Sequence, residues 1–135
     1  MIGRRLAFDF GMARIGVAVC DREGILASPL ETISTKDARK KIDALVEEYS
    51  PVVIYVGKPL HLSGGSSEST EAAEEFARSL ERYGVPIEMV DERLTTKSAS
   101  AQLSQAGYSA KESKSKIDSA SAVEILEQAL AREKR

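Results

Sequence analysis

The sequence predicts an α/β fold: a mixed five-stranded sheet, an antiparallel three-strand meander at one side, parallel strands at the other, and helices flanking both faces. Two patterns predict it. The first third of the chain holds three extended segments joined by short turns, as antiparallel neighbours require. After that, apolar strand-like runs alternate with segments of helical periodicity, and a helical crossover makes the strands it joins parallel. Length sets the frame: 135 residues, 42% hydrophobic and 30% charged, suit one domain over 1–135. Such a chain is too short for two lobes clasping a nucleotide and too apolar for disorder.

Arg5-Leu6-Ala7-Phe8-Asp9-Phe10-Gly11 is short, apolar and ends at a glycine, so it reads as the first strand. A turn at Met12-Ala13-Arg14 leads into Ile15-Gly16-Val17-Ala18-Val19-Cys20-Asp21, rich in β-branched residues. Asp21-Arg22-Glu23-Gly24 turns the chain again, into one extended segment from Ile25 to Ile33 that contains Pro29. From Thr35 or Lys36 to Tyr49, the residues Ala38, Ile42, Leu45, Val46 and Tyr49 recur at helical spacing, and Pro51 closes that helix. Val52-Val53-Ile54-Tyr55-Val56-Gly57 is a near-continuous apolar run, the pattern of a strand covered on both faces. Lys58 to Ser69 is a loop rich in Pro, Gly and Ser. A second helix runs from about Glu71 to Tyr83, stopped by Gly84, and Pro86 to Val90 forms the last strand. A third helix spans about Thr96 to Gln105. A lysine-bearing loop from Gly107 to Lys116 then precedes a final helix from Ile117 to about Arg132.

With 19 basic and 21 acidic residues, the net charge of −2 exerts no global pull on nucleic acid or membrane. A polyanionic partner must therefore be held by a local patch or through metal ions. One cysteine, Cys20, excludes an internal disulfide, and with His61 as the one histidine there is no zinc cluster. The stretch after Arg4-Arg5 is interrupted by Asp9, Arg14 and two glycines before it could serve as an export signal, and no run suits a membrane span. These features predict a cytoplasmic protein. Cys20, Met12, Tyr55 and Phe76 read as packing residues, and His61 as an exposed loop residue.

Three acids fall where sites form in open sheets, outside the carboxyl ends of strands. Asp9 interrupts the apolar run between Phe8 and Phe10, where an unpartnered charge costs on the order of several kcal/mol. A structural salt bridge accounts for it as well as a functional role does. Glu92, beside Asp91, follows the last strand; Thr95 or Thr96 capping the next helix explains the connection but not two acids and an arginine together. Asp118 shares a helical stripe with Ala122, Ile125 and Ala129. The helix dipole explains an acid in a first turn, but not one on the core-facing stripe.

Convergent carboxylates repel one another unless cations bind between them, and hard oxygen ligands select Mg²⁺ or Mn²⁺. Two such ions about 3.5–4 Å apart can activate a water and stabilise the leaving oxygen in phosphodiester cleavage. Asp9 would bridge both ions, and Glu92 and Asp118 would complete one ligand sphere each. The expected products carry a 5′-phosphate and a 3′-hydroxyl. Lys58, Arg93, Lys97, Lys111, Lys114 and Lys116 fall in segments near the same edge as candidate phosphate contacts; a solvated loop explains any single lysine equally well.

Asp9-Phe10-Gly11 with Arg14-Ile15-Gly16-Val17-Ala18 resembles the opening of the YqgF family, pre-16S rRNA nucleases related to Holliday junction resolvases. Val56-Gly57-Lys58-Pro59-Leu60, Val90-Asp91-Glu92-Arg93-Leu94-Thr95-Thr96 and the run from Ile117 to Leu126 are similar to its other motifs, in family order. The resemblance implies an RNase H-like fold and an Mg²⁺-dependent nuclease maturing the 5′ end of 16S rRNA in the bacterial cytoplasm. It carries the acidic positions over to Asp9, Glu92 and Asp118, with Asp91 as the alternative to Glu92. Lys58 and Ser121 depart from the family pattern, which has apolar residues there.

The implied partner is structured RNA or branched DNA, met by a monomer or a homodimer, since resolving a junction takes two symmetric cuts. Two other readings compete. A non-catalytic RNA-binding scaffold would bind RNA in EDTA. A lobe of the actin and sugar-kinase type shares Asp-x-Gly but requires a second lobe.

Overall fold

The computed structural model describes residues 2–58, 68–91 and 110–133, of which 68, 69 and 110–119 are described by their backbone alone. β1 (Arg5–Phe10) and β2 (Arg14–Cys20) form an antiparallel hairpin. β2 also pairs antiparallel with two short strands, β3 (Ala27–Pro29) and β4 (Ile33–Ser34). On the other side of the hairpin β5 (Val53–Lys58) runs parallel to β1, and β6 (Ile87–Asp91) parallel to β5. The order across the sheet is β3-β2-β1-β5-β6, with β4 beside β2.

Among the described residues the sheet therefore has six strands rather than five, because the segment predicted as one strand from Ile25 to Ile33 is two. β3 pairs Ala27 with Cys20 and Pro29 with Ala18, whereas β4 pairs Ile33 with Ile15. Residues 30–32 thus stand opposite only 16 and 17, a one-residue bulge that breaks the ladder. Pro29, with no amide hydrogen to donate, ends the first piece.

α1 (Ala38–Tyr49) follows a 3₁₀ turn at Thr35–Asp37, and α2 (Glu68–Ser79) continues into a 3₁₀ turn at Leu80–Tyr83. Gly84 stops that turn at φ 73°, in the left-handed region that favours glycine. α3 (Ala110–Glu133) begins seven residues before the predicted start at Ile117. The segment from Ala110 to Lys116 was expected as a loop because it is polar. It contains neither Pro nor Gly, and Ala, Lys and Glu are strong helix formers, so polarity there does not exclude a helix. The helix predicted over Thr96 to Gln105 and most of the loop with His61 lie outside the described residues.

Strand alternation divides the core into two layers. Leu6, Phe8, Ile15, Val17, Ile54 and Val56 face α1 and α2. Phe76 of α2 stacks on Phe10 at 4.8 Å and meets the edge of Phe8 at 5.8 Å. Ala7, Ala18, Cys20, Val53, Tyr55 and Val90 face α3, whose Ala122, Ile125, Leu126 and Ala129 are buried against them. Alanines on both sides let that helix approach the strands closely. Tyr55, Phe76 and Cys20 pack as predicted; Met12 does not, since it is 78% exposed at the tip of the β1–β2 turn. Among the described residues no helix is long and apolar enough to cross a membrane.

Candidate active site

β1, β5 and β6 are mutually parallel, so their carboxyl ends share one edge of the sheet. Asp9 is the penultimate residue of β1. Its neighbours Phe8 and Phe10 belong to the α1/α2 layer, so alternation turns Asp9 to the α3 side, where its register partner in β2 is Gly16. It is half-buried there.

The turn after Asp9 is held by the segment that starts α1. The Thr35 hydroxyl donates to the Gly11 carbonyl at 2.7 Å, and the Thr35 amide donates to the Ala13 carbonyl at 3.1 Å. A Cβ at Gly11 would lie 2.5 Å from the Arg14 carbonyl oxygen, a backbone atom that cannot swing aside. Gly11→Ala is therefore expected to push the turn open, lower stability by about 1–3 kcal/mol and shift Asp9. The melting temperature and the cleavage rate should fall together; a variant with parental values of both would show that the turn tolerates a side chain.

Asp91 ends β6, exposed and in register with Lys58, which ends β5. Val90 packs in the α3 layer, so Asp91 alternates to the other side of the sheet. Lys58 follows Gly57, the register partner of Val90, and shares the face of Asp91. The structure thus brings Asp91 and Lys58 together at the correct edge but on the face opposite Asp9. Glu92, Arg93 and Lys97 lie outside the described residues.

Asp118 belongs to α3, as do Lys111, Lys114 and Lys116; their backbone is helical and their side chains lie outside the described residues. α3 runs against β1, since Glu133 in its last turn contacts Arg5 at the start of β1. From Glu133 back to position 118 the helix rises about 22 Å, whereas β1 rises about 13 Å from Arg5 to Asp9. The helix backbone at 118 therefore reaches past the level of Asp9, one turn before the buried Ala122. Among the described residues no three Asp, Glu, His or Cys side chains gather into a metal-binding group.

Arg14 was not predicted as a site residue. It opens β2 next to Ile15, which faces α1 and α2, so Arg14 alternates to the α3 side and is the diagonal neighbour of Asp9. The signal was present: once the hairpin register is fixed, two residues before Gly16 is the diagonal position. Sequence alone leaves that register open by one residue, and a slip of one turns Arg14 to the other face.

One protein-family model, described as "RuvX: Holliday junction resolvase", matches residues 3–132 of the chain. The chain belongs to this RuvX family. Its relatives include a Streptomyces avermitilis protein named "Putative pre-16S rRNA nuclease", 46% identical over 98% of the chain and 88% of that protein. A protein of the same name from Nitrosomonas eutropha is 42% identical over 93% of the chain and 82% of its own length. Among solved structures, Thermus thermophilus RuvC in complex with a Holliday junction substrate superposes with a TM-score of 0.60 at 16% identity, covering 97% and 96% of the two chains. The yeast mitochondrial Holliday junction resolvase gives 0.53 at 12% identity, over 98% and 81%. At such identities the likeness is one of fold. This RuvX-family chain has the RNase H-like architecture that its motifs implied, with parallel strands ending at one edge beside the hairpin that carries Asp9.

Proposed function

We propose that this RuvX-family chain is a divalent-metal-dependent nuclease of the bacterial cytoplasm that hydrolyses phosphodiester bonds at the 5′ end of pre-16S rRNA. The observation that carries this reading is Asp9: a half-buried carboxylate at the end of β1, opposite a glycine, on the side of the sheet covered by α3. The names of its relatives support rRNA as substrate. A half-buried carboxylate supplies hard oxygen, the donor type that suits Mg²⁺ or Mn²⁺.

Asp9, Glu92 and Asp118 would hold the cation, and strand alternation favours Glu92 over Asp91 because Asp91 turns to the other face. When bound, a divalent ion supplies Lewis-acid polarisation of the phosphoryl group and a more acidic water. The chain's own part is placement. β1 fixes Asp9 between Phe8 and Phe10 of the opposite layer, the Thr35 hydrogen bonds hold the turn beside it, and α3 packs on the Asp9 side of the sheet through Ala122, Ile125, Leu126 and Ala129. Arg93, Lys58, Lys97, Lys114 and Lys116 would neutralise flanking phosphates.

The family description favours a second substrate, a four-way DNA junction. End-labelled precursor rRNA and a four-way junction, each incubated with the protein in Mg²⁺ and in EDTA, test both readings. Cleavage of the RNA in Mg²⁺ with complete loss in EDTA is expected. Cutting of the junction alone would transfer the reading to DNA, and RNA binding with no cleavage in either condition would make the protein a scaffold.

A further inference from the structure

We propose that the 3₁₀ turn and first turn of α1 form a second contact surface for the nucleic-acid backbone, with Lys36, Arg39 and Lys40 each meeting a phosphate. The inference rests on the nuclease reading and deepens it, because these residues lie outside every motif considered above. Residues 36–41 carry four cations, Lys36, Arg39, Lys40 and Lys41, against one acid, Asp37, in a chain whose net charge is −2. All four cations are exposed.

Their position ties them to the candidate site. Thr35, directly before Lys36, is bonded to both Gly11 and Ala13, and Ser34 pairs with Arg14. Gly11 is two residues from Asp9, about 7 Å along the strand. The patch thus begins at the carboxyl edge, beside the turn that follows Asp9, and continues onto the first turn of α1, on the face of the sheet opposite the one to which Asp9 turns.

The charge order along α1 argues against a purely structural origin. A helix favours acids in its first turn and bases in its last. α1 has no acid in its first turn and no base in its last turn; Arg39, Lys40 and Lys41 crowd its start, and Glu47 and Glu48 lie near its end. This reversed order opposes the helix dipole. Arg5 and Arg82 are engaged in ion pairs with Glu133 and Asp43, whereas neither Lys36 nor Lys40 pairs with a carboxylate among the described residues. Asp43, one turn further along α1, shares its field with Arg39, and a phosphate backbone would supply the anions that Lys36 and Lys40 lack.

The test compares three full-length proteins: the parent, a Lys36→Gln/Arg39→Gln/Lys40→Gln variant, and a control Arg22→Gln/Arg78→Gln/Arg132→Gln. The control removes the same charge from exposed residues at the amino edge of the sheet. Binding to a fluorescent structured RNA and to a four-way DNA junction is measured against salt, with Ca²⁺ replacing Mg²⁺ to prevent cleavage. The first variant should bind roughly 10- to 100-fold more weakly at 0.1 M salt, with a log–log salt slope shallower by about 2–3. The control should bind like the parent, and the ligand that loses more identifies whether the surface serves RNA or DNA. The variant should melt at or slightly above the parent's temperature, because the removed charges oppose the helix dipole. Equal loss in both variants, an unchanged salt slope, or a lowered melting temperature would overturn the proposal. If the variant binds like the parent while cleavage remains EDTA-sensitive, the nuclease reading stands and only this surface falls. A parent that binds neither ligand ends both.

Discussion

Asp9→Asn is expected to lower kcat/KM for precursor-RNA cleavage by about 10²–10³-fold or more, with RNA affinity changed little. Asparagine keeps the shape and one carbonyl acceptor but removes the charge, so the hairpin and its Phe8–Phe76–Phe10 packing should persist. What is lost is an anionic oxygen donor in a half-buried position, where electrostatic interactions are stronger than in water. A loss of that size corresponds to about 3–4 kcal/mol of transition-state stabilisation. Single-turnover cleavage in Mg²⁺, with binding measured in Ca²⁺, separates the two quantities. Full activity in Asp9→Asn would remove Asp9 from the chemistry and leave it a structural acid, as its place inside an apolar strand also permits.

The parts of the fold legible in the sequence are those written as local periodicity. The apolar run around Asp9 predicted a first strand, and β1 is that strand, with Phe8 buried and Phe10 packed against the same layer. The stripe Ala122, Ile125, Ala129 predicted the packed face of the last helix, and all three residues are buried. The elements misread were those where a local cue had two physical causes. Polarity from Ala110 to Lys116 fits either a loop or a helix. An apolar run through Pro29 signals either one strand or two joined by a bulge. Met12 was read as packing because it is large and apolar, but residue type cannot reveal that a position is the tip of a turn.

For the candidate site, strand ends in the sequence point to the edge, whereas the side of Asp9 follows from alternation only once the structure shows which layer Phe8 and Phe10 join. The two facts that refine it were hidden for a different reason. The Thr35 bond to Gly11 spans 24 positions and the register that sets Arg14 against Asp9 is a tertiary property. The reversed charge of α1 was readable in Lys-Asp-Ala-Arg-Lys-Lys, yet the Thr35 bonds and the Ser34–Arg14 pairing that tie that run to the edge carrying Asp9 are tertiary contacts.

Loss of the Glu133 side chain should have the largest effect on stability. Arg5 is 3% exposed at the start of β1. Its guanidinium donates to the Gly3 carbonyl at 2.6 Å and to Glu133 at 2.7 Å, while Tyr55 donates to the other Glu133 oxygen at 2.6 Å. Glu133→Ala leaves the guanidinium buried without its carboxylate, which costs about 2–4 kcal/mol, or roughly 10 °C in melting temperature for a domain of this size. Arg5→Met replaces the buried charge with an apolar chain and should cost less. The double variant should be more stable than the sum of the two single losses predicts, because removing both charges leaves neither stranded.

The pH dependence follows from the same contacts. Burial pushes the Glu133 carboxyl up, but the Arg5 and Tyr55 hydrogen bonds outweigh it and hold the group below its ordinary 4.5. A depressed carboxylate contributes stability above its unfolded value, and that stability is lost as pH falls from about 4.5 through the lower folded value. Burial and the Glu133 bond raise the Tyr55 phenol above its ordinary 10. That contribution is present below pH 10 and is lost as pH rises beyond it. Glu133→Ala should therefore flatten stability in the acid limb, measured by denaturant melts between about pH 3 and 5. The consequence reaches the opposite edge of the sheet. Glu133 anchors the carboxyl end of α3, and the same helix carries position 118 past Asp9, so loosening that anchor should lower cleavage at temperatures where the variant remains folded. Unchanged cleavage in a folded but destabilised Glu133→Ala protein would show that α3 keeps its place by the Ala122, Ile125 and Ala129 packing alone.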